Sequence, residues 1–233
     1  MDRLSNRARR TVAAVAPLLI AAALLVGCGG SGSNGESAKN ARQIITDAQK
    51  ATMTASSVHV SGAGSSRNGP IKLDIVAAPS RGGGTIMSGK TVLNLVLEGA
   101  SIYVKTDAAT VQTLSGSAAT ASTDANRWLQ TTSTDSKFTG LSQLLDITKL
   151  PQDFAFRGVP TKQSATTFAG VAVVPVFDPT SGGTLYVAAT GRPYIIGIKG
   201  ATSGGSQLTF DHYGSAKVPP APANPIMLPG PSR

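Results

Sequence analysis

Apolar and polar positions follow three different rules along this chain. Val12 to Val26 is almost continuously apolar, interrupted by Pro17. Gly29 to Glu36 reads GGSGSNGE and has no apolar residue to pack. From Ser37 the pattern becomes periodic. Ala41, Ile44, Ile45, Ala48 and Ala51 recur at steps of three and four, which predicts a helix over Ser37–Ala55 with Ser37 as its cap.

Beyond that helix the period drops to two. Val58-His59-Val60 alternates, as do Ile71, Leu73 and Ile75 with Lys72 and Asp74. Further strands are predicted at Thr85–Met87, after the glycines at 82–84, and at Thr91–Leu97 and Ser101–Lys105. The Gly82-Gly83-Gly84 run itself reads as a loop between strands. Asp107–Asn126, rich in Ala, Ser and Thr, reads as a weak helix or a loop, followed by a strand at Arg127–Gln130. Leu141, Leu144 and Leu145 have helical spacing, and Pro151 ends that element. Strands resume at Phe154–Val159, Ser164–Phe168, Val171–Phe177, Thr184–Ala188, Tyr194–Lys199 and Gln207–Tyr213. The segment 218–233 is Pro-rich and reads as a loose tail unable to join a central strand. The pattern as a whole predicts one α+β domain built on an antiparallel sheet over residues 37–217.

The first apolar run has a different meaning. Fifteen residues are short for a membrane span, which needs about 20. They suit the core of a signal peptide, preceded here by a basic stretch with Arg3, Arg7, Arg9 and Arg10. The run ends Leu25-Val26-Gly27-Cys28, a lipobox in which a small residue precedes the cysteine. Residues 1–27 are therefore expected to be removed. Cys28 would carry a diacylglyceryl group, with Leu25, Val26 and Gly27 as the peptidase recognition residues. Two acyl chains anchor stably where one binds marginally. The implied place is the outer side of a cell membrane, with residues 28–36 as lipidated cysteine and tether, spanning roughly 15 Å. Arg9-Arg10 leaves general secretion and twin-arginine export both open.

Composition narrows the classes. The chain has 233 residues, 41% hydrophobic and 14% charged, so Ser, Thr, Gly and Asn must cover much of the surface. The net charge is +9, of which the leader holds +3. The remaining Lys and Arg are scattered singly and aromatics total 5%, a poor match to a nucleic-acid partner. Cys28 is the single cysteine, so there is no intrachain disulfide and no cysteine-based metal site.

Catalytic signatures are weak. The two histidines are His59 and His212, and no G-x-S-x-G occurs. Asp211 adjoins His212, but strand neighbours point to opposite faces, so the two are not expected to meet. His59 reads as a solvent-facing strand residue, and no ligand spacing for a metal is present. The G-x-G-x-x-G matches at Gly27–Gly32 and Gly30–Gly35 fall in the cleavage site and tether and have no preceding strand. No catalytic residue, metal or cofactor is expected.

A resemblance adds to this. After the lipobox, tether and helix come Ser-Ser-Val-His-Val-Ser-Gly at 56–62 and Ile-Lys-Leu-Asp at 71–74. Glu-Gly-Ala-Ser-Ile-Tyr-Val-Lys at 98–105, Asn-Arg-Trp-Leu at 126–129 and Gly-Thr-Leu-Tyr-Val-Ala-Ala-Thr-Gly-Arg-Pro-Tyr at 183–194 follow, then Leu-Thr-Phe-Asp-His-Tyr-Gly at 208–214. In order and content this resembles the actinobacterial lipoproteins of the LppX/LprG type, which share a LolA/LolB-like fold. The resemblance implies a large curved antiparallel sheet, a half-barrel, with helices on its concave face. It also implies a non-catalytic domain that binds or carries lipid or glycolipid acyl chains in a hydrophobic cavity; the series of alternating strands, with no second apolar segment, leads us to expect a monomer. It identifies no cavity residues. The alternative is a protein-interaction or sensory lipoprotein of the same fold with a filled core.

Overall fold

The computed structural model describes residues 32–66, 69–153, 156, 158–201 and 205–228. The expected leader and lipobox, including Leu25, Val26, Gly27 and Cys28, lie outside them.

Helix α1 spans Ala41–Met53 and starts four residues later than the expected Ser37, which sits inside a 3-10 turn at Glu36–Ala38. Asn40 is the cap. Its side chain accepts from the Gln43 amide while the Gln43 side chain accepts from the Asn40 amide, so two otherwise orphaned donors are satisfied together. Ala41, Ile44 and Ala48 form the buried stripe.

The sheet strands are β1 (Val58–Ser66), β2 (Gly69–Ala78), β3 (Arg81–Ser88), β4 (Thr91–Glu98) and β5 (Ser101–Lys105). Two short helices follow, α2 (Ala108–Ser115) and α3 (Ala118–Asp124), then β6 (Leu129–Thr132) and α4 (Thr139–Leu145). The second half holds β7 (Thr161–Lys162), β8 (Thr166–Phe168), β9 (Val171–Phe177), β10 (Thr184–Ala188), β11 (Ile195–Lys199), β12 (Gln207–Asp211) and β13 (Ile226–Met227). Among the described residues these strands join one sheet in the order β13-β6-β5-β4-β3-β2-β1-β12-β11-β10-β9-β7, with β8 also on β9. Every pairing is antiparallel except β13 with β6, and the sheet is open.

Strand alternation puts one set of side chains under the helices. Across the sheet Phe210, Val60, Ile75, Gly84, Leu95 and Val104 align in register. Apart from Gly84 all belong to the main core, together with Ile44 and Ala48 of α1 and Leu145 of α4. The expected antiparallel α+β architecture is thus present.

Several local expectations change. The glycines at 82–84 lie inside β3 rather than in a loop. A β-carbon on Gly82 would collide with the backbone carbonyl of Leu145, and one on Gly83 would lie 2.5 Å from the Pro219 ring. The bare backbone of β3 therefore lets α4 approach from one side and the C-terminal segment from the other. That segment is not a loose tail: Ile226 and Met227 pair with Leu129 and Gln130. They do so at the sheet edge, where prolines are tolerated.

The expected strand Phe154–Val159 is absent among the residues described there. Phe156 has no strand pairing, Gly158 sits in a bend, and Val159 is 71% exposed ahead of Pro160. The tether is shortened from its C-terminal side, because Ser33 bridges Thr190 and Asn34 hydrogen-bonds Ala188 and Ala189. The region 107–126 resolves into α2 and α3, since the Asp107 side chain caps α2 by accepting from the Thr110 amide at 2.8 Å and Gly116 ends it with φ 70°.

Candidate functional site

Beneath the helices the interior is closely filled. Phe138, Phe210, Ile44, Ile75, Leu95 and Ile102 are among the largest fully buried side chains. Leu145, Ile147 and Leu150 bring the α4 region onto them. On the strands, Ile102, Val104 and Val187 point into this core. Ile196 belongs instead to a second cluster with Val173 and Ala188, packed with Phe168, whose ring stacks on Tyr186 at 4.2 Å between centroids.

At one edge of the main core an apolar opening of about 110 Å³ lies among Phe156, Leu185 and Ile198, with Asp178, Ser181, Gly183 and Thr184 around it. Leu185 is part of the core, and Phe156 and Ile198 pack against it. Asp178 is held in place: its Oδ1 accepts from the Thr180 amide at 2.9 Å and its Oδ2 from the Ser181 hydroxyl at 2.9 Å. The arrangement is an apolar floor beside polar groups. Pockets for drug-sized ligands measure about 300–1,000 Å³, so in this conformation the opening is smaller than such a site.

A larger cleft, about 240 Å³, is polar and includes Ser80, Ser142, Asp146 and Lys149. Asp146 is 2% exposed and works as a joint. It accepts from the Ser80 amide, the Thr148 amide and the Thr148 hydroxyl at 3.2, 3.1 and 2.7 Å, and pairs with Lys149 at 3.3 Å. Burial works against its charge, but the bonds from Thr148, Ser80 and Lys149 together hold its pKa below the usual value of 3.8. The end of α4 is thereby fastened to the β2–β3 turn.

The C-terminal end of α1 is fastened in the same manner. The Thr52 hydroxyl accepts from the Ile195 amide at 3.3 Å, and the Tyr213 hydroxyl donates to the Ile195 carbonyl at 2.6 Å. Tyr213 stacks on Tyr194 at 4.0 Å, and burial pushes its pKa well up.

The histidines depart from expectation. His59 is on the strand face away from the core, but it is not simply solvated: its Nδ1 lies 2.6 Å from Asp211 Oδ1 and its Nε2 3.1 Å from Asp74 Oδ1. His212 was expected to point away from Asp211, yet its Nδ1 sits 2.7 Å from the same Asp211 oxygen. Alternation fails there because His212 has φ 50°, a left-handed turn just past the end of β12. Burial opposes the charge on His59, and the hydrogen bonds to Asp211 and Asp74 outweigh it, leaving the imidazole pKa above 6.5. Asp211 responds oppositely: burial pushes it up, and the bonds from His212 and His59 bring it below 3.8. The two rings and the two carboxylates thus form one imidazole–carboxylate cluster.

No protein-family model and no curated protein matches this sequence. Solved structures do. The structure of LprF from Mycobacterium bovis superimposes with a TM-score of 0.50, covering 87% of this chain and 100% of LprF at 15% identity. The domain has the fold of LprF. The Mycobacterium tuberculosis lipoprotein LppX is similar at a TM-score of 0.49 and 15% identity, over 76% of this chain and 96% of LppX. At such identity the likeness to LprF concerns the course of the backbone and carries no ligand with it. Among the described residues no helix is long and apolar enough to cross a membrane.

Proposed function

We propose that this chain is a non-catalytic cell-envelope lipoprotein, anchored through Cys28 on the outer face of the membrane. Its domain takes the acyl chain of a lipid or glycolipid between the sheet and helices α1 and α4. The observation that carries the reading is the apolar opening at Phe156, Leu185 and Ile198, continuous with the main core and rimmed by polar groups fit to meet a headgroup. Burying a methylene contributes about 0.8 kcal/mol. A sixteen-carbon chain therefore gains on the order of 10 kcal/mol gross, against which stands the cost of separating the side chains that now fill the space. Entry requires the Phe156 side chain to part from Leu185 and Ile198. The acyl chain itself, rather than a reaction, is the object of the site, and the histidines face carboxylates on the opposite side of the sheet.

The packed interior favours a second reading, a protein-interaction or sensory lipoprotein whose core stays closed around Phe138 and Phe210. Incubation of the monomeric mature domain with vesicles containing a labelled phospholipid, followed by separation, distinguishes the two. Lipid carriage predicts a saturable complex of one lipid per domain. A domain that emerges unlabelled at every lipid concentration supports the closed core.

A further inference from the structure

His59, Asp211 and His212 bring three donor atoms within 4.8 Å of one another on the sheet face away from the helices. The residues come from three places in the chain. His59 stands on β1, opposite Asp211 on β12, and His212 follows in the turn. Both rings direct the same nitrogen, Nδ1, at one carboxylate oxygen. The far nitrogen of His59 meets Asp74 on β2. An imidazole that donates its Nε2 proton to a carboxylate presents a lone pair at Nδ1, and this is how histidine ligands of metal ions are oriented from behind. His212 joins the group only through a left-handed backbone state, which a non-glycine residue adopts at a cost in strain.

We propose that Nδ1 of His59, Nδ1 of His212 and the carboxylate of Asp211 bind one divalent transition cation of the zinc class, with Asp74 positioning His59. Two imidazoles and a carboxylate oxygen form a donor set that zinc takes, and three protein ligands leave a fourth position for water. Calcium and magnesium prefer shells made of oxygen, and copper(I) prefers sulfur. Ligands around a tetrahedral ion with bonds of about 2.0–2.1 Å stand about 3.3 Å apart. The ring nitrogens stand 2.6 and 2.7 Å from Asp211 and within 4.8 Å of each other, so binding requires each nitrogen–oxygen spacing to open to about 3.3 Å. On binding, the cation takes the place of the protons shared between the rings and the carboxylate, and those protons pass to solvent. Because β1 and β12 are where the first and last parts of the domain meet in the sheet, the ion clamps that seam. The site lies on the opposite face from the proposed acyl-chain opening and does not depend on it.

The test uses the untagged full chain in detergent, stripped of metal with a chelator and titrated with zinc by calorimetry and with cobalt(II) by visible absorption. The expected result is one cation per chain and cobalt bands of a four-coordinate site. His212→Ala, at an exposed position, should lose the bands and weaken zinc binding at least tenfold with an unchanged circular dichroism spectrum. Asp74→Asn, which touches no ion, should weaken it by about tenfold. Absence of saturable uptake by the parent protein overturns the site, and so does equal affinity in the parent and the His212→Ala chain.

Discussion

The ring of Pro219 occupies the space that a β-carbon on Gly83 would need; the two would stand 2.5 Å apart. On the other face of the same strand, Gly82 faces the carbonyl of Leu145. Gly83→Ala should push the C-terminal segment off the sheet, at about 1–3 kcal/mol as for other overpacked sites. Gly82→Ala should be destabilising as well, because a β-carbon there meets the backbone carbonyls of Leu145 and Val76, just as one on Gly83 meets the Leu95 carbonyl besides the Pro219 ring. Urea denaturation measures both. Limited proteolysis after Ser215 should accelerate in Gly83→Ala and not in a variant at Gly140, which has open space beside it.

Asp146 makes stability depend on acid. Its folded-state pKa is depressed, so its contribution is complete above the unfolded value of 3.8 and is lost as pH falls through the lower folded value. Asp146→Asn should flatten that part of the profile and, by weakening a buried hydrogen-bond acceptor, cost about 1–3 kcal/mol at neutral pH. Unfolding free energies of both proteins from pH 7 downward check the sign. A parent protein that gains stability below pH 3.8 relative to Asp146→Asn contradicts it.

Volume changes separate the floor of the opening from the centre of the core. Phe210→Ala removes a fully buried ring and should destabilise the domain by about 3–5 kcal/mol. Ile198→Trp, at the partly exposed mouth, should leave the melting temperature nearly unchanged while blocking lipid uptake from vesicles. Normal uptake by a folded Ile198→Trp protein would move the entrance elsewhere.

Anchoring has its own test. Cys28→Ala should leave an unprocessed precursor or release the protein from the membrane fraction, because the acyl chains have no thiol to occupy. Continued processing with continued membrane partition removes the lipobox reading.

Much of the architecture was legible in residue spacing. The stripe Ala41, Ile44, Ala48 and the alternation in Val58–Val60, Ile71–Ile75 and Ser101–Lys105 each specify a buried face directly. What escaped has physical reasons. β3 shows no alternation at 82–84, because these glycines serve close approach of other chain segments and have no side chains to pattern. The edge strand Ile226–Met227 is two residues long among prolines, below any periodicity. Phe154–Val159 carries strand-like residues, but a 3-10 turn at Leu150–Asp153 precedes them, Gly158 sits in a bend and Pro160 follows, and neither Phe156 nor Val159 pairs in the sheet. The imidazole–carboxylate cluster required knowing that His59 pairs with Asp211 in register and that His212 leaves the extended conformation. Asp-His-Tyr-Gly at 211–214 did hold a hint, since a glycine closes the stretch and Gly214 has φ 76°.

The central claim is that the space beneath α1 and α4 receives an acyl chain. Native mass spectrometry of residues 29–233, secreted by the host behind a cleavable leader, tests it most directly, because without Cys28 no anchor adds mass. The account predicts a species heavier than the polypeptide by one lipid, which Ile198→Trp lacks. The bare polypeptide mass in every preparation would contradict it and leave the closed-core interaction module in its place.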